Sequence, residues 1–307
     1  MPPEAAAEAG HIPVLLDEVM EFLVPAARGV YCDATLGLGG HAARILELSS
    51  PDGRLVGLDR DPQALVRARR ALARFGDRVT TEHAKFGSIR SVLEAASLLP
   101  IDGCLVDLGV SSLQLDAAER GFSFRRAAPL DMRMDQSQGE TAADFLGRAD
   151  EEEIERILRD LGEERFARKI ARAIVEARIR SDLSTTTALA ELIAKVVPTR
   201  ERNKDPATRS FQALRIALND ELGELERFLA DIPSCLRPGG RLVVISFHSL
   251  EDRIVKRQLR ALAARDVASG PRLRILTKHV VVAGDGERRR NPRSRSAKLR
   301  AAERLSS

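Results

Sequence analysis

The ten residues Cys32-Asp-Ala-Thr-Leu-Gly-Leu-Gly-Gly-His41 limit what this chain can fold into more than any other stretch. A short apolar run, Val30 to Ala34, leads into them, and a helix-like run, His41 to Leu48, leads out. Strand, glycine turn and helix in that order open a nucleotide- or nucleoside-binding α/β sheet. Glycine tolerates positive φ and carries no Cβ, so the backbone can come close to a ligand. The unpaired N–H groups at the start of the next helix then face that ligand. Gly37, Gly39 and Ala42 satisfy the loose G-x-G-x-x-G/A dinucleotide spacing, which a tight turn without a ligand also satisfies.

Strand and helix patterns alternate after this turn. Arg54 to Asp59 reads as a second strand, and Asp61 with Pro62 as the cap and first turn of a helix reaching about Ala73. Arg78 to His83 is a weaker strand, Ile89 to Ala96 a short helix, and Ile101 to Leu108 a nearly wholly apolar strand. Such a run suits the middle of a parallel sheet. From about Leu130 to Leu229 only helical periodicity remains. Phe211, Leu214, Leu218, Leu222 and Leu225 form one of its stripes. The α/β pattern resumes at Pro238-Gly-Gly, with a strand to His248 and a helix from Leu250 to Ala264 that Ser249 and Asp252 would cap. Arg272 to Val282 and Ser296 to Glu303 read as late strands, and residues 1 to 10 as a disordered lead.

Ligands in an open parallel sheet bind beyond the carboxyl ends of the strands, where Asp33, Asp59 and Asp107 fall. Asp59 follows the glycine turn at the distance where an acid accepts ribose hydroxyls. Asp107 ends an apolar strand and needs a partner, either a ligand or the N–H groups of Gly109 to Ser112. His41 could cap its helix or donate to a ligand. No His, Cys, Asp and Glu spacing suits a metal, so none is expected. The three cysteines, Cys32, Cys104 and Cys235, are too scattered for a disulfide framework, and no apolar run is long enough to cross a membrane. No secretory signal is visible, so the expected location is cytoplasmic. A net charge of +4 conceals two basic clusters, Arg200, Arg202, Lys204 and Arg209, and Arg288 to Arg295. Both suit phosphate contacts. The glycine turn and Asp59 leave NAD and S-adenosylmethionine open. A second mononucleotide half is missing, and two strands follow Pro238-Gly-Gly, which leans towards the latter.

Six blocks then carry a specific resemblance: Asp107-Leu-Gly-Val-Ser-Ser112, Glu119-Arg-Gly-Phe-Ser-Phe124, Pro129-Leu-Asp-Met-Arg-Met134, Gly162-Glu-Glu-Arg-Phe-Ala167, Pro206-Ala-Thr-Arg209 and Ser246-Phe-His-Ser-Leu-Glu-Asp-Arg253. In this order, from His11 to about Glu303, the chain resembles the bacterial 16S ribosomal RNA cytosine-N4 methyltransferase family. The resemblance implies a Rossmann-like class I methyltransferase sheet, α/β in class, with an inserted all-helical domain. It divides the chain into a first methyltransferase part at 11–129, a helical RNA-recognition insertion at 130–230 and a second methyltransferase part at 231–307. It implies S-adenosyl-L-methionine as cofactor and 16S rRNA in the small ribosomal subunit as partner; a homodimer is also carried as an expectation. Its cofactor pocket maps onto Gly39, Gly40, His41, Asp59, Phe86, Asp107 and Gln114. Leu113 stands where the family's S-S-P-Q-L run has proline.

The reaction adds one demand. The lone pair of the cytosine amine is delocalised into the ring, so the amine must be oriented and its N–H accepted. Asp107 is the expected catalytic acceptor, although the Asp/Asn-Pro-Pro-aromatic motif of other amino-methyltransferases is replaced here by Asp-Leu-Gly-Val-Ser-Ser. Phe122, Phe124 and Phe247 are candidate platforms for an extruded base, with core packing as the competing role.

Overall fold

A computed structural model describes residues 12–180, 183–197, 205–264, 270 and 272–306. The expected lead at residues 1 to 10, and Arg200, Arg202 and Lys204 of the first basic cluster, lie outside the described residues. The chain divides into two compact units, residues 1–109 with 222–307, and residues 110–221.

The first unit opens with α1 (Leu16–Leu23), β1 (Val30–Asp33), α2 (Gly40–Leu48), β2 (Arg54–Asp59), α3 (Pro62–Leu72), β3 (Val79–His83), α4 (Ile89–Ala95) and β4 (Ile101–Asp107). The second unit holds α5 (Ser112–Asp116), α6 (Ala142–Arg148), α7 (Glu151–Gly162), α8 (Ala167–Arg180), α9 (Thr186–Val196) and α10 (Thr208–Asn219). The chain then returns through α11 (Glu221–Cys235), β5 (Leu236–Ser246), α12 (Ser249–Ala263), β6 (Leu273–Ile275), α13 (Asp285–Arg290) and β7 (Lys298–Arg304). The sheet runs β3-β2-β1-β4-β5-β7-β6, parallel except for β7, which is antiparallel to both β5 and β6. This is the Rossmann-like class I methyltransferase order.

Strand residues alternate between two apolar layers, as a pleat of period two requires. Cys32, Val56, Cys104 and Val244 face Leu93, Phe228 and Leu259 of α4, α11 and α12. Tyr31, Leu55, Leu105 and Val243 face Val19, Ile45 and Leu65 of α1, α2 and α3. Cys32, Cys104 and Cys235 are unpaired and buried, serving as small apolar fillers. Asp61 caps α3 as expected, its carboxylate accepting from Gln63 N at 3.0 Å, with Pro62 in the first turn. The second unit builds its own core from Leu130, Phe145, Leu158, Ile170, Leu189 and Phe211.

Five details differ from the sequence reading. The stripe from Phe211 to Leu225 is not one helix, because Asp220 turns left-handed (φ 50°) and ends α10. Leu225 then packs with Phe228 in the sheet's core, so the helical unit ends at 221 instead of 230. It begins at 110 instead of 130, because the segment after β4 carries Phe122 and Phe124 into the helical core. The cap of α12 is His248, not Ser249: Glu251 N reaches His248 Nδ1 at 3.4 Å and Glu251 Oε2 accepts His248 N at 3.2 Å. Finally, Arg272 to Val282 is not one strand. Only Leu273–Ile275 forms β6, and Val281 rejoins β7 through a separate bridge to Leu299.

Candidate active site

The carboxyl ends of β1, β2 and β4 gather Asp33, Asp59 and Asp107 at one end of the sheet, because these three strands are neighbours and parallel. The glycine turn is stitched across the same end. Ala34 N donates to Leu105 O at 2.8 Å and Leu36 N to Leu58 O at 2.7 Å. Gly37 has φ 54° and Gly39 φ 82°, the left-handed region that favours glycine. A Cβ on Gly40 would fall 2.5 Å from Pro13 Cγ, so the segment before α1 closes over the turn only because that position is glycine.

Each aspartate has a different environment. Asp59 is held by two backbone donors, Gly37 N at 2.7 Å and Asp61 N at 2.8 Å. Burial nonetheless raises its pKa to about 6, the two N–H groups offsetting part of the effect. The charge of Arg60 lowers it only weakly. Among the described residues Asp33 accepts Thr35 N, at 3.2 Å, and burial lifts it to about 7, with Asp59 adding to the rise. Asp107 is held well above the usual carboxylate range by burial first, then by the charges of Asp33 and Glu251. Its Oδ1 is shut off from solvent and has no hydrogen-bond partner among the described residues. The N–H groups of Gly109 to Ser112, one candidate partner, do not reach that oxygen.

His41 starts α2 beside this cluster. Its Nε2 lies 2.9 Å from Val14 O, which can only accept, so Nε2 carries the proton. Nδ1 lies 4.0 Å from Asp107 Oδ2. Phe86 follows β3, whose end is tied to β2 through Ala84 N and Asp59 O at 3.0 Å. Its ring meets Phe228 edge-on, with centroids 5.8 Å apart. Thus Gly39, Gly40, His41, Asp59, Phe86 and Asp107 all belong to the first unit, around its strand ends.

Gln114 belongs to the second unit. There it completes a capping box: Gln114 N donates to Ser111 Oγ at 3.3 Å and Gln114 Oε1 accepts Ser111 N at 3.0 Å. The turn forms with Leu113 in place of proline, and Leu113 itself is buried. Phe122 and Phe124 pack in the helical core, Phe124 against Phe211 with centroids 4.7 Å apart, and Phe247 packs against the sheet's second layer.

Two contributors escaped the sequence reading. Thr35 Oγ1 accepts Asp107 N at 2.6 Å, tying the glycine turn to β4. Glu251 is buried and accepts Phe247 N at 2.7 Å, and its charge raises Asp107. The Glu251 signal was present as the fourth residue of His-Ser-Leu-Glu, but a histidine cap lies outside the usual Ser/Thr/Asp/Asn rule.

Chemically, this end of the sheet gathers three desolvated carboxyl groups beside a close-approach backbone turn. It suits a ligand carrying positive charge and a nucleoside. Among the described residues no group of side chains could hold a metal, and no helix is long and apolar enough to cross a membrane.

The chain matches the model of the MraW methylase family over residues 8–305. It is 53% identical to the ribosomal RNA small subunit methyltransferase H of Geobacter sulfurreducens, over 96% of this chain and 99% of that protein. The same-named protein of Thioalkalivibrio sulfidiphilus is 53% identical, over 96% and 97% respectively. Among solved structures it is similar to TrmN of Thermus thermophilus, at 13% identity and a TM-score of 0.47, covering 99% of this chain and 52% of that one.

Proposed function

We propose, because the chain belongs to the MraW methylase family, that this S-adenosylmethionine-dependent rRNA methyltransferase modifies the exocyclic N4 of a cytidine in the decoding region of 16S rRNA. The observation that carries the site assignment is the unpartnered Oδ1 of Asp107 at the end of β4. A buried carboxylate without a partner is costly, and native proteins keep such groups where a ligand completes them. The residues present fit S-adenosylmethionine. When bound, it supplies an activated methyl on a positively charged sulfur. Asp59 would hold the ribose, the Gly37–Gly40 backbone and His41 the amino-acid end, and Phe86 the adenine edge. Gln114 completes this set from the sequence resemblance.

Asp107 accepts a hydrogen bond from the cytosine amine and orients it for in-line attack. Methyl transfer would break the donor's S–C bond as the N–C bond forms, leaving a neutral thioether, and Asp107 would take the proton that the amine loses. A raised pKa suits that task, because the acceptor must hold the proton after transfer. Positive charge brought into the pocket favours the ionised form beforehand. His41, anchored through Nε2 to Val14 O, sets its Nδ1 4.0 Å from Asp107 Oδ2. The arginines at 288–295 supply phosphate contacts, of which Arg289, Arg290 and Arg295 are exposed.

The test is incubation of the purified protein with radiolabelled S-adenosylmethionine and small subunits lacking the modification, followed by mapping of the labelled nucleotide. Label on N4 of a decoding-region cytidine is the expected result. Label on protein, on another base, or nowhere would overturn the reading.

A further inference from the structure

A second site lies on the first unit, away from the acidic strand ends. A cavity of about 380 Å³ opens between α12 and the β6–β7 connection. Its walls carry Lys256, Arg260, Lys278, His279 and Arg300, and among the described residues no acidic side chain lines it. Leu259, Ile275 and Val280 supply apolar surface between the cations.

Among the described residues, most of the charge in this wall has no counter-charge. Arg300 is the exception: it forms a bidentate pair with Asp252, at 2.7 and 3.3 Å, and Lys298 Nζ lies 3.9 Å from the same carboxylate. The Asp252 carboxylate is therefore committed to two cations already. Lys256, Arg260, Lys278 and His279 are exposed and form no ion pair among the described residues. Like charges gathered around a concave surface repel one another, which disfavours the empty arrangement unless an anion fills it. Scattered surface lysines on a convex helix carry no such meaning.

The sheet register gives the cavity's direction from the acidic end. Asp107 pairs with Ile245, Ile245 with Leu299, and Leu299 with Val281, next to Val280 of the cavity wall. Three steps across neighbouring chains amount to about 14 Å. A single RNA strand covers such a distance with a few nucleotides.

We infer that this cavity binds a phosphate-bearing nucleotide of single-stranded RNA, its phosphate on Lys256, Arg260 and Lys278 and its base or ribose on the apolar surface. The nucleotide flanks the target base, so the inference rests on the RNA-methylating reading above. The site is concave, part apolar and built on packed elements of the sheet.

The test is the double variant Lys256→Gln/Lys278→Gln, which takes one cation from each wall. Its control is Arg67→Gln/Arg70→Gln on α3, which removes equal charge elsewhere. Binding of a fluorescent short single-stranded RNA is measured by anisotropy across a salt series, with no methyl transfer involved. The cavity variant is expected to bind roughly tenfold more weakly. Its slope of log Kd against log salt should shrink by about 0.7 for each phosphate that no longer meets a cation. The control should keep the wild-type slope. Donor affinity by calorimetry should be unchanged in both, which shows that the fold is intact. Equal effects of the two variants, or none, would overturn the inference. Competition by cytidine monophosphate alone, with no preference for the strand, would assign the cavity to a free nucleotide and overturn its RNA role. A wild-type protein that binds the strand through this cavity yet labels no subunit would sink the methylation reading and leave the cavity standing.

Discussion

Two aspartates, one in each unit, are withdrawn from water and handled in opposite ways. Burial alone would raise Asp131, but Arg133 grips it through Nε at 2.8 Å and Nη2 at 2.9 Å and holds its carboxyl below the usual range. Arg133 N and Gln136 Nε2, each at 3.0 Å, complete its shell. Asp107 has no such shell: one oxygen is unpartnered and the neighbouring charges are Asp33 and Glu251. Identical residue types thus differ through their partners: one carboxylate is saturated and the other keeps an open oxygen. A saturated carboxylate stabilises its own fold, whereas an unsaturated one retains capacity for a ligand.

The contrast can be broken most directly at Asp107. Asp107→Asn should lower turnover by at least about 10²-fold, as expected when a proton acceptor is removed. Steady-state kinetics with subunit substrate read this, and full turnover with full donor affinity would remove Asp107 from the mechanism.

The acidic cluster should also leave a signature in stability. Asp33 and Asp59 titrate near 7 and 6 when folded, against about 4 in an unfolded chain. A folded pKa above the unfolded one means that the native state binds more protons between those values. Stability from these groups is therefore complete below about pH 4 and falls as pH rises towards 7, by up to about 1.4 kcal/mol per pH unit for each group. Denaturant titrations of the donor-free protein should show this decline, and Asp33→Asn should flatten it. A slope unaltered in that variant would contradict the assigned environment.

Asp131→Asn should behave as a stability mutation. Removing the paired carboxylate opposite Arg133 should cost about 3 kcal/mol, with donor affinity retained. A fall in donor affinity without a fall in stability would erase the distinction between the two aspartates. The smallest effect is expected from Thr35→Val, which removes the acceptor for Asp107 N and should cost about 1–2 kcal/mol. Hydrogen exchange at that amide would show whether the effect is local.

Much of this was legible along the chain. The glycine run, the terminal aspartates of β2 and β4 and the cap at Asp61 are local features, set by steric freedom and by one side chain bonding its own turn. The apolar strands and amphipathic helices follow from burial periodicity. The boundaries of the helical unit were not legible, because a stripe of leucines continues through Asp220 while the backbone reverses there. The pairing of Thr35 with Asp107, seventy-two residues apart, left no local pattern. Nor did the basic cavity, whose cations come from α12, the β6–β7 connection and β7.

By itself, then, the sequence determined which segments are strand and helix, that a close-approach glycine turn exists, and which acids end strands. It could do so because those properties depend on neighbours within a few residues. Tertiary structure decided which acid is saturated, which carbonyl anchors His41 and where cations converge. Those outcomes depend on desolvation and on donors brought from distant segments, and both arise only when the sheet closes.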